Sequence, residues 1–513
     1  MKITSKYLIV PVNLQMRSKT IKLTDTDGKL VFDLTAYLDA VTPQFNMYVD
    51  IERFRGMDLT ISTDPETDIT FEMTDTKPMD GVYSSYLRPA VHFTAAYGWL
   101  NDPNGLVYHN GTYHMFFQHN PAGPLWGNMH WGHATSPDLV HWTEGDIALF
   151  PDETGTMYSG SAIIDRNNVS GLSENGDTIL LFYTAAGENS LLSAGAKFTQ
   201  CLAYSKDGGK TFVKHPKNPI IPHIVGGNRD PKVNYCEELG TYLLALYLDG
   251  NDYALFESAN LIDWTMLQKV VLPNDDECPD FYPLTAENAE NERKWVFTGA
   301  SDTYAVGHID TKARRFVMDE EAKAYHIGRR VSYAAQTFSD TPGRRIKIAW
   351  DGMDTRNTLF CCQMGIPCEM SLVKLDNNYY MRSLPVAEFD RLTVKTDTYA
   401  GCTKAILSQD AAYDITVGAP KNADDFIISV FGMTFEVKPA ENIFRYAGQD
   451  IPLSYTGEDI DIRIITDTIG VEIFLDGGLI YSTETCMLDK NLNRLTITGE
   501  RADITVKELA NIH

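Results

Sequence analysis

Residues 105–121, GLVYHNGTYHMFFQHNP, hold two apolar and aromatic runs on either side of His109-Asn110-Gly111. Runs rich in Val, Tyr, Phe and Thr between turn formers read as strands, and Asn-Gly between two of them marks a hairpin turn. Residues 178–190, TILLFYTAAGENS, repeat the pattern, and it recurs along the chain. Windows with helical periodicity are scarce. The chain therefore reads as all-β.

A weak repeat refines that reading. SPDLVHW (136–142), SKDGGKTF (205–212) and SANLIDW (258–264) each follow an apolar strand, HWGHAT, CLAY and YALFE respectively. Each is a Ser-x-Asp/Asn turn closing on an aromatic. Those aromatics, Trp142, Phe212 and Trp264, lie 70 and 52 residues apart. Such irregular spacing fits propeller blades, each a four-stranded sheet, with loop insertions between them. Turns of this kind also arise in all-β chains without repeats.

Two changes of character divide the chain. Residues 63–80, TDPETDITFEMTDTKPMD, are acidic and precede a dense aromatic stretch, so 1–85 reads as a small β module. After SLPVAEFDRL (383–392) the strands alternate cleanly, as in VEIFLDGGLIYS, with Asp476-Gly477-Gly478 as a turn. The tail, 400–513, reads as a β-sandwich of about 110 residues, an ordinary size for such a domain. Residues 86–392 lie between. At roughly 100–200 residues per domain, 513 residues suit this division.

Composition narrows the function. The chain is 43% hydrophobic and 22% charged, which excludes wholesale disorder. A net charge of −25 argues against nucleic acid and against an anionic membrane surface. The aromatic content of 11% suits both strands and sugar stacking. The longest apolar run, Tyr242 to Leu248, is far short of the roughly 20 residues a membrane-spanning helix needs. The start, MKITSKYLIVPVNLQM, has no signal-peptide pattern, and eight cysteines without a CxxC or a regular framework suit free thiols. Together these point to the cytoplasm. Oligomeric state is not legible.

Three carboxylates stand out by their neighbours. Asp102 lies in Trp99-Leu100-Asn101-Asp102-Pro103-Asn104-Gly105. Pro103 biases Asp102 toward extended backbone, and Asn104-Gly105 is expected to turn the chain. The same residues read as well as a purely structural Asx turn. Asp230 also precedes a proline, in Asn228-Arg229-Asp230-Pro231, and reads alternatively as a surface salt bridge with Arg229. Glu277 lies in Asn274-Asp275-Asp276-Glu277-Cys278-Pro279-Asp280. Crowded acids raise at least one pKa, as a general acid needs, although charge runs are usually solvated loops. Cys278 has no His near it in sequence and reads as a packing residue. Seven of the twelve histidines fall between His92 and His141, without HExxH or His-x-His spacing. They read as hydrogen-bonding partners in a polar aromatic cleft, and no metal or cofactor is expected. P-loop, GxGxxG and GxSxG motifs are absent.

WLNDPNG (99–105), FFQHNPAGPLWGNMHWGHATSPDLVHW (116–142), YSGSA (158–162), FTQCLAYSKDGGKTF (198–212), NRDPK (228–232) and ECPDFYPL (277–284) stand in the order found in glycoside hydrolase family 32. The chain resembles the invertases, levanases and inulinases of that family over about 90 to 390. The likeness is weaker in the tail (TDTIGVEIFLDGG, 466–478) and loose in residues 1–85, which are similar to a module preceding the catalytic domain in some bacterial members. The resemblance implies a five-bladed β-propeller followed by a β-sandwich. It implies Asp102 as nucleophile, Glu277 as general acid/base and Asp230 as transition-state stabiliser. It places Asn101, Gln118, Trp126, Tyr158, Ser159 and Arg229 around a terminal fructose, with Trp126 as the wall toward the leaving group. A retaining mechanism then puts the reacting carboxyls about 5–5.5 Å apart.

Departures from the family pattern are Leu100 for Met, Tyr158 for Phe, YAAQ (333–336) for Tyr-Ala-Pro-Gln, and the 351–358 loop at the expected rim. Leu100 is expected to be near neutral, Tyr158 to add a hydroxyl to the pocket, and the loop to alter leaving-group preference. The leading expectation is an exo-acting β-fructofuranosidase acting on fructo-oligosaccharides, fructans or sucrose. A fructosyltransferase uses the same carboxylates. A non-catalytic fructan-binding propeller predicts loss of one of them, yet all are present, and a pure scaffold would need none.

Overall fold

The computed structural model describes the chain apart from residues 174–176, 290–291, 325–331, 356–357, 410, 447 and 454–458. It is an all-β protein whose only helices among the described residues are short 3-10 turns. No helix there is long and apolar enough to cross a membrane.

Two three-stranded sheets open the chain. Tyr7–Val12 pairs with Phe45–Asp50 and Glu72–Thr74, and Lys19–Thr24 pairs with Leu30–Ala36 and Thr60–Asp64. Their alternating side chains, among them Leu8, Val10, Ile21, Phe32 and Met47, share one buried cluster.

Five sheets follow in chain order. Their first strands are Gly98–His109, Thr156–Asp165, Arg229–Cys236, Asp280–Thr285 and Ser332–Thr337. In the first four, the second, third and fourth strands each pair antiparallel with the one before. The hairpin expected at His109-Asn110-Gly111 is present: His109 pairs with Thr112, and Asn110 and Gly111 have φ of 48° and 83°. These strands are buried on both faces, so they read as nearly continuous apolar runs, as in Thr178–Ala186.

The Ser-x-Asp/Asn turns repeat one structure. Ser136, Ser205 and Ser258 each end the third strand of the first, second and third sheet. Each hydroxyl accepts the N–H two residues on, at 3.1, 3.4 and 3.2 Å. The closing aromatic then packs between sheets. Phe212 lies edge-on to Phe116 at 5.2 Å, Trp264 to Phe182 at 5.9 Å, and Trp142 to Phe93 at 6.2 Å. Each such ring is partly buried and so contributes a fraction of the roughly 1.5–3 kcal/mol that full burial of a large apolar side chain is worth.

Polar bonds tie the first strands to one another in order. Ser159 of the second sheet donates to Asp102 of the first. Ser161 of the second donates to Pro231 O of the third at 2.8 Å. Asn234 of the third donates to Phe281 O of the fourth at 2.9 Å. The N–H of Thr337 in the fifth donates to Asp280 of the fourth at 2.7 Å. Ser339, just beyond the fifth strand, bonds back to Leu106 and Tyr108 of the first at 2.9 and 3.0 Å. Phe360–Cys361 also returns to the first sheet and pairs parallel with Gly98 and Trp99.

The C-terminal region forms two six-stranded sheets. One contains Thr393–Cys402, Ala412–Pro420, Asp459–Thr466, Ile469–Leu475, Ile480–Met487 and Ala502–Leu509; the other contains Phe426–Val430, Met433–Lys438 and Arg494–Thr498. Ile415, Val417, Phe435, Phe444 and Ile473 fill one core drawn from both. The turn at Asp476-Gly477-Gly478 joins Leu475 to Ile480, which pair.

Candidate active site

The first strands carry the site because they are interrupted. Four of the five have a register shift near their start: Leu100/Pro103, Tyr158/Gly160, Arg229/Lys232 and Tyr333/Gln336. A bulge adds a residue on one strand and re-aims the side chains beside it. Here it turns Asn101, Asp102, Tyr158, Arg229, Asp230 and Tyr333 toward one cleft. The fourth sheet reaches the same result just before its first strand, where Glu277 and Cys278 have φ of 55° and 33°. Gly160 shows how little space such a bulge leaves: a Cβ there would lie 1.9 Å from the Phe182 carbonyl oxygen.

Two local expectations are corrected. Asn104-Gly105 does not turn the chain. Gly98–His109 runs on as one strand, and the second bulge, between Asn104 and Val107, takes up Gly105 at φ 52°. Asp230 is not extended before its proline but left-handed, with φ 65°, held by its N–H to Thr184 Oγ1 at 2.9 Å. Left-handed backbone at a non-glycine persists where surrounding structure enforces it, as at functional sites.

The cleft measures about 790 Å³ and is lined by Asn101, Asp102, Gln118, Trp126, Tyr158, Phe198, Arg229, Asp230, Glu277, Tyr333 and Trp350. Every expected site residue except Ser159 is on its wall. Ser159 is buried behind Asp102 and Gln118, donating to the first and accepting from the second. Asp102 Oδ1 accepts Asn101 Nδ2 at 2.8 Å, and Oδ2 accepts Gln118 Nε2 at 3.0 Å and the Ser159 hydroxyl. Trp99 Nε1 donates to Asn101 Oδ1 at 3.1 Å and so fixes that amide.

Asp230 is buried, so its ion pair with Arg229, Nε to Oδ2 at 3.7 Å, is present but is not a surface one; the same Oδ2 takes the Cys278 N–H at 3.0 Å. Arg229 pairs with Glu277 Oε1, donates to Gly227 O at 2.6 Å, and lies over the Tyr247 ring at 4.6 Å. Glu277 Oε2 accepts the Tyr333 hydroxyl at 2.8 Å.

The environments differ. Burial pushes Asp102 up to about 7, and Asp230 and Glu277 add to the push. Burial raises Asp230 to about 6, against the pull of Arg229. Glu277 is the open member, with a side chain 32% exposed. The acidic run is not a solvated loop. Its shifted member is Asp275, raised to about 6 by burial rather than by its acidic neighbours. Asp275 accepts the N–H groups of Ser301 and Thr303, each at 2.9 Å, and so anchors the segment that presents Glu277.

Cys278 is more than packing. Its thiol lies 3.6 Å from Asp102 Oδ2 and 3.5 Å from Asp230 Oδ2, and burial holds it protonated, so its single S–H is shared between the two carboxylates. Its place beside Glu277 was the one signal. Tyr333 and Trp350 were also not assigned to the site. Tyr333 opens the YAAQ departure, and Trp350 Nε1 donates to Leu100 O at 2.9 Å beneath the cleft floor. No histidine lines the cleft. His114, His119, His130 and His133 are buried within the first sheet instead, where His133 stacks on Phe116 at 4.3 Å. His114 and His133 share the strand face of Gln118 but lie farther along the sheet, and His119 and His130 are on the opposite face. The Tyr158 hydroxyl is engaged by Asn189 Oδ1 at 3.3 Å, and its ring meets Trp126 edge-on at 6.2 Å. Of the 351–358 loop, residues 356–357 lie outside the described residues.

The N-terminal sheets hold two rim segments. Asp33 accepts the N–H groups of Leu191 and Leu192, both at 2.9 Å, beside Asn189. Thr35 exchanges two 2.8 Å bonds with Asn128, two residues from Trp126. Asp33→Ala is therefore expected to raise KM for a substrate of this cleft about 3- to 10-fold with kcat within about twofold, measured by steady-state kinetics.

Comparisons with known proteins place the chain in a family. The family model described as "Glycosyl hydrolases family 32 N-terminal domain" matches residues 92–383. The levanase of Bacillus subtilis (strain 168) is 29% identical over 490 residues, covering 83% of this chain and 70% of the relative. An invertase of Debaryomyces hansenii is 36% identical over 291 residues, 52% of each chain, so the match spans about half of that relative's length. The crystal structure of exo-inulinase from Aspergillus awamori superposes with a TM-score of 0.74 at 23% identity, covering 84% of this chain and 100% of that one. The chain belongs to glycosyl hydrolase family 32, a family of glycosidases.

Proposed function

We propose that this chain is a retaining, exo-acting β-fructofuranosidase that releases fructose from fructo-oligosaccharides, fructans or sucrose. The observation that carries the reading is the convergence of Asp102, Asp230 and Glu277 on one cleft, two buried and one open. The levanase, invertase and exo-inulinase relatives support the substrate class.

In this reading Asp102 attacks the anomeric carbon while Glu277, reached through the open side, protonates the leaving oxygen. The fructosyl-enzyme ester is then hydrolysed by water activated by the Glu277 carboxylate. Positive charge develops on the ring between the steps. Asp102 and Asp230 are buried against their own preference for water and repel each other, so that charge relieves an existing cost rather than creating one. Arg229 and Tyr333 hold Glu277 at the mouth. Trp126, half exposed, offers its face to the leaving sugar.

The fold reading goes with it. The five sheets, linked in order and back to the first, form a five-bladed propeller over 86–392. The two six-stranded sheets form a sandwich over 400–513, entered by Thr393–Cys402, and 1–85 is a separate module that buttresses the rim.

Two experiments test the mechanism. Reaction in aqueous methanol is expected to give methyl β-fructofuranoside beside fructose; the α-anomer would contradict retention. The acid limb of kcat/KM for sucrose is expected between about pH 6 and 7, as a property of the coupled Asp102–Asp230 pair. Activity falls below that window because the attacking carboxylate is protonated.

A further inference from the structure

A second polar cluster lies inside the seam between the fifth sheet and the C-terminal sheets. Asp351 ends the strand Ile346–Asp351, and Glu472 lies in Ile469–Leu475. Asp467 sits in the turn before that strand, and His92 in the segment leading to Gly98. Their exposures are 0%, 1%, 1% and 3%. His92 Nδ1 faces Asp467 Oδ2 at 2.7 Å, and Nε2 faces Glu472 Oε1 at 3.0 Å. Asp467 also accepts the N–H groups of Ala90 and Val91 at 2.7 and 2.9 Å. Glu472 accepts the Ile366 N–H at 2.8 Å and the Tyr481 hydroxyl at 3.2 Å.

Asp351 differs from the others. Neither of its carboxylate oxygens has a hydrogen-bond partner among the described residues. Yet a ligand atom from each of His92, Asp351 and Glu472 lies within 4.8 Å of the other two. Buried charges are paired or coordinate metals. Lys347, four residues before Asp351, pairs with Asp302 at 3.4 Å. Three carboxylates here thus face one imidazole.

We propose that His92, Asp351 and Glu472 bind one divalent cation that ties the leader of the first sheet, the fifth sheet and the C-terminal sheets together. One imidazole nitrogen and two carboxylates suit Zn²⁺, with a second carboxylate oxygen completing four-coordination in this buried site. Calcium takes six to eight oxygens, and this group offers a nitrogen and too few. Asp467 then has the outer role, holding His92 by Nδ1 so that Nε2 presents its lone pair to the ion. None of the four residues lines the cleft, so the ion is structural. Among the clustered histidines, for which no metal was expected, His92 becomes the exception.

The test uses untagged full-length protein grown with zinc and manganese, and reads metal content by elemental analysis. Close to one divalent ion per chain is expected. Prolonged incubation with EDTA is expected to lower Tm by on the order of 5 °C, and Zn²⁺ to restore it. Asp351→Asn and Glu472→Gln are expected to lose both the metal and the sensitivity to EDTA. Manganese bound in place of zinc supports the site. Wild-type protein without stoichiometric metal, melting alike in EDTA and Zn²⁺, overturns it and leaves the carboxylates sharing a proton. That measurement stands even if a variant does not fold.

Discussion

Asp102→Asn is expected to lower kcat for sucrose by on the order of 10⁴-fold or more, because in the proposed mechanism an amide cannot replace the attacking carboxylate. The same change is expected to raise stability at pH 8. Asp102 has a pKa of about 7 in the folded protein against an ordinary 3.8, so the fold favours the protonated acid. The native state therefore binds more protons than the unfolded state between those values, and stability at this position is lost as pH rises through the window. Asparagine never ionises and escapes the loss. Its amide also meets a donor that the carboxylate accepted, either Asn101 on one side or Gln118 and Ser159 on the other, which takes part of the gain back. A net gain of about 1–3 kcal/mol at pH 8 is expected, shrinking to nothing or reversing near pH 4. Thermal melts of both proteins across that range check it. A variant less stable than wild type at pH 8 would contradict the burial argument, and retained turnover would contradict the nucleophile.

Glu277→Gln is expected to separate substrates by their leaving groups. Sucrose needs its leaving oxygen protonated, so kcat/KM for sucrose should fall about 10²- to 10⁴-fold. A nitrophenyl β-fructofuranoside leaves unaided, and its kcat/KM should fall about tenfold or less. The second step still lacks its base. A burst of nitrophenol is then followed by slow turnover, and azide, which needs no base, speeds it. Equal losses on both substrates would remove Glu277 from the proton-transfer role.

Much of this was legible in the sequence, and the misses share a cause. Alternating strands, the hairpin at His109-Asn110-Gly111 and the Ser-x-Asp/Asn turns are local signals, and local hydrogen bonds decide them. The site depends on where strands break register, which sequence conveys poorly. Asn104-Gly105 looked like a turn because those residues favour positive φ, and a bulge uses the same preference without reversing the chain. The proline after Asp230 argued for extended backbone, and the tertiary bond to Thr184 overrode it. The histidines spread over both faces of the first sheet, and those on the face of Gln118 form a stack with Phe116 farther along it, so their clustering in sequence was not a clustering at the cleft. Cys278 and Tyr333 were marked only by the neighbour Glu277 and by the YAAQ departure, and Trp350 by nothing local; all three enter because the sheets converge.

The central claim is that a single fructose is removed from one chain end. Chromatography of the earliest products from sucrose, 1-kestose, inulin and levan tests it most directly. Fructose as the first product from at least one of them, without intermediate oligosaccharides, is the predicted result. A ladder of shortened oligosaccharides, products longer than the substrate, or no product from any of the four would contradict it.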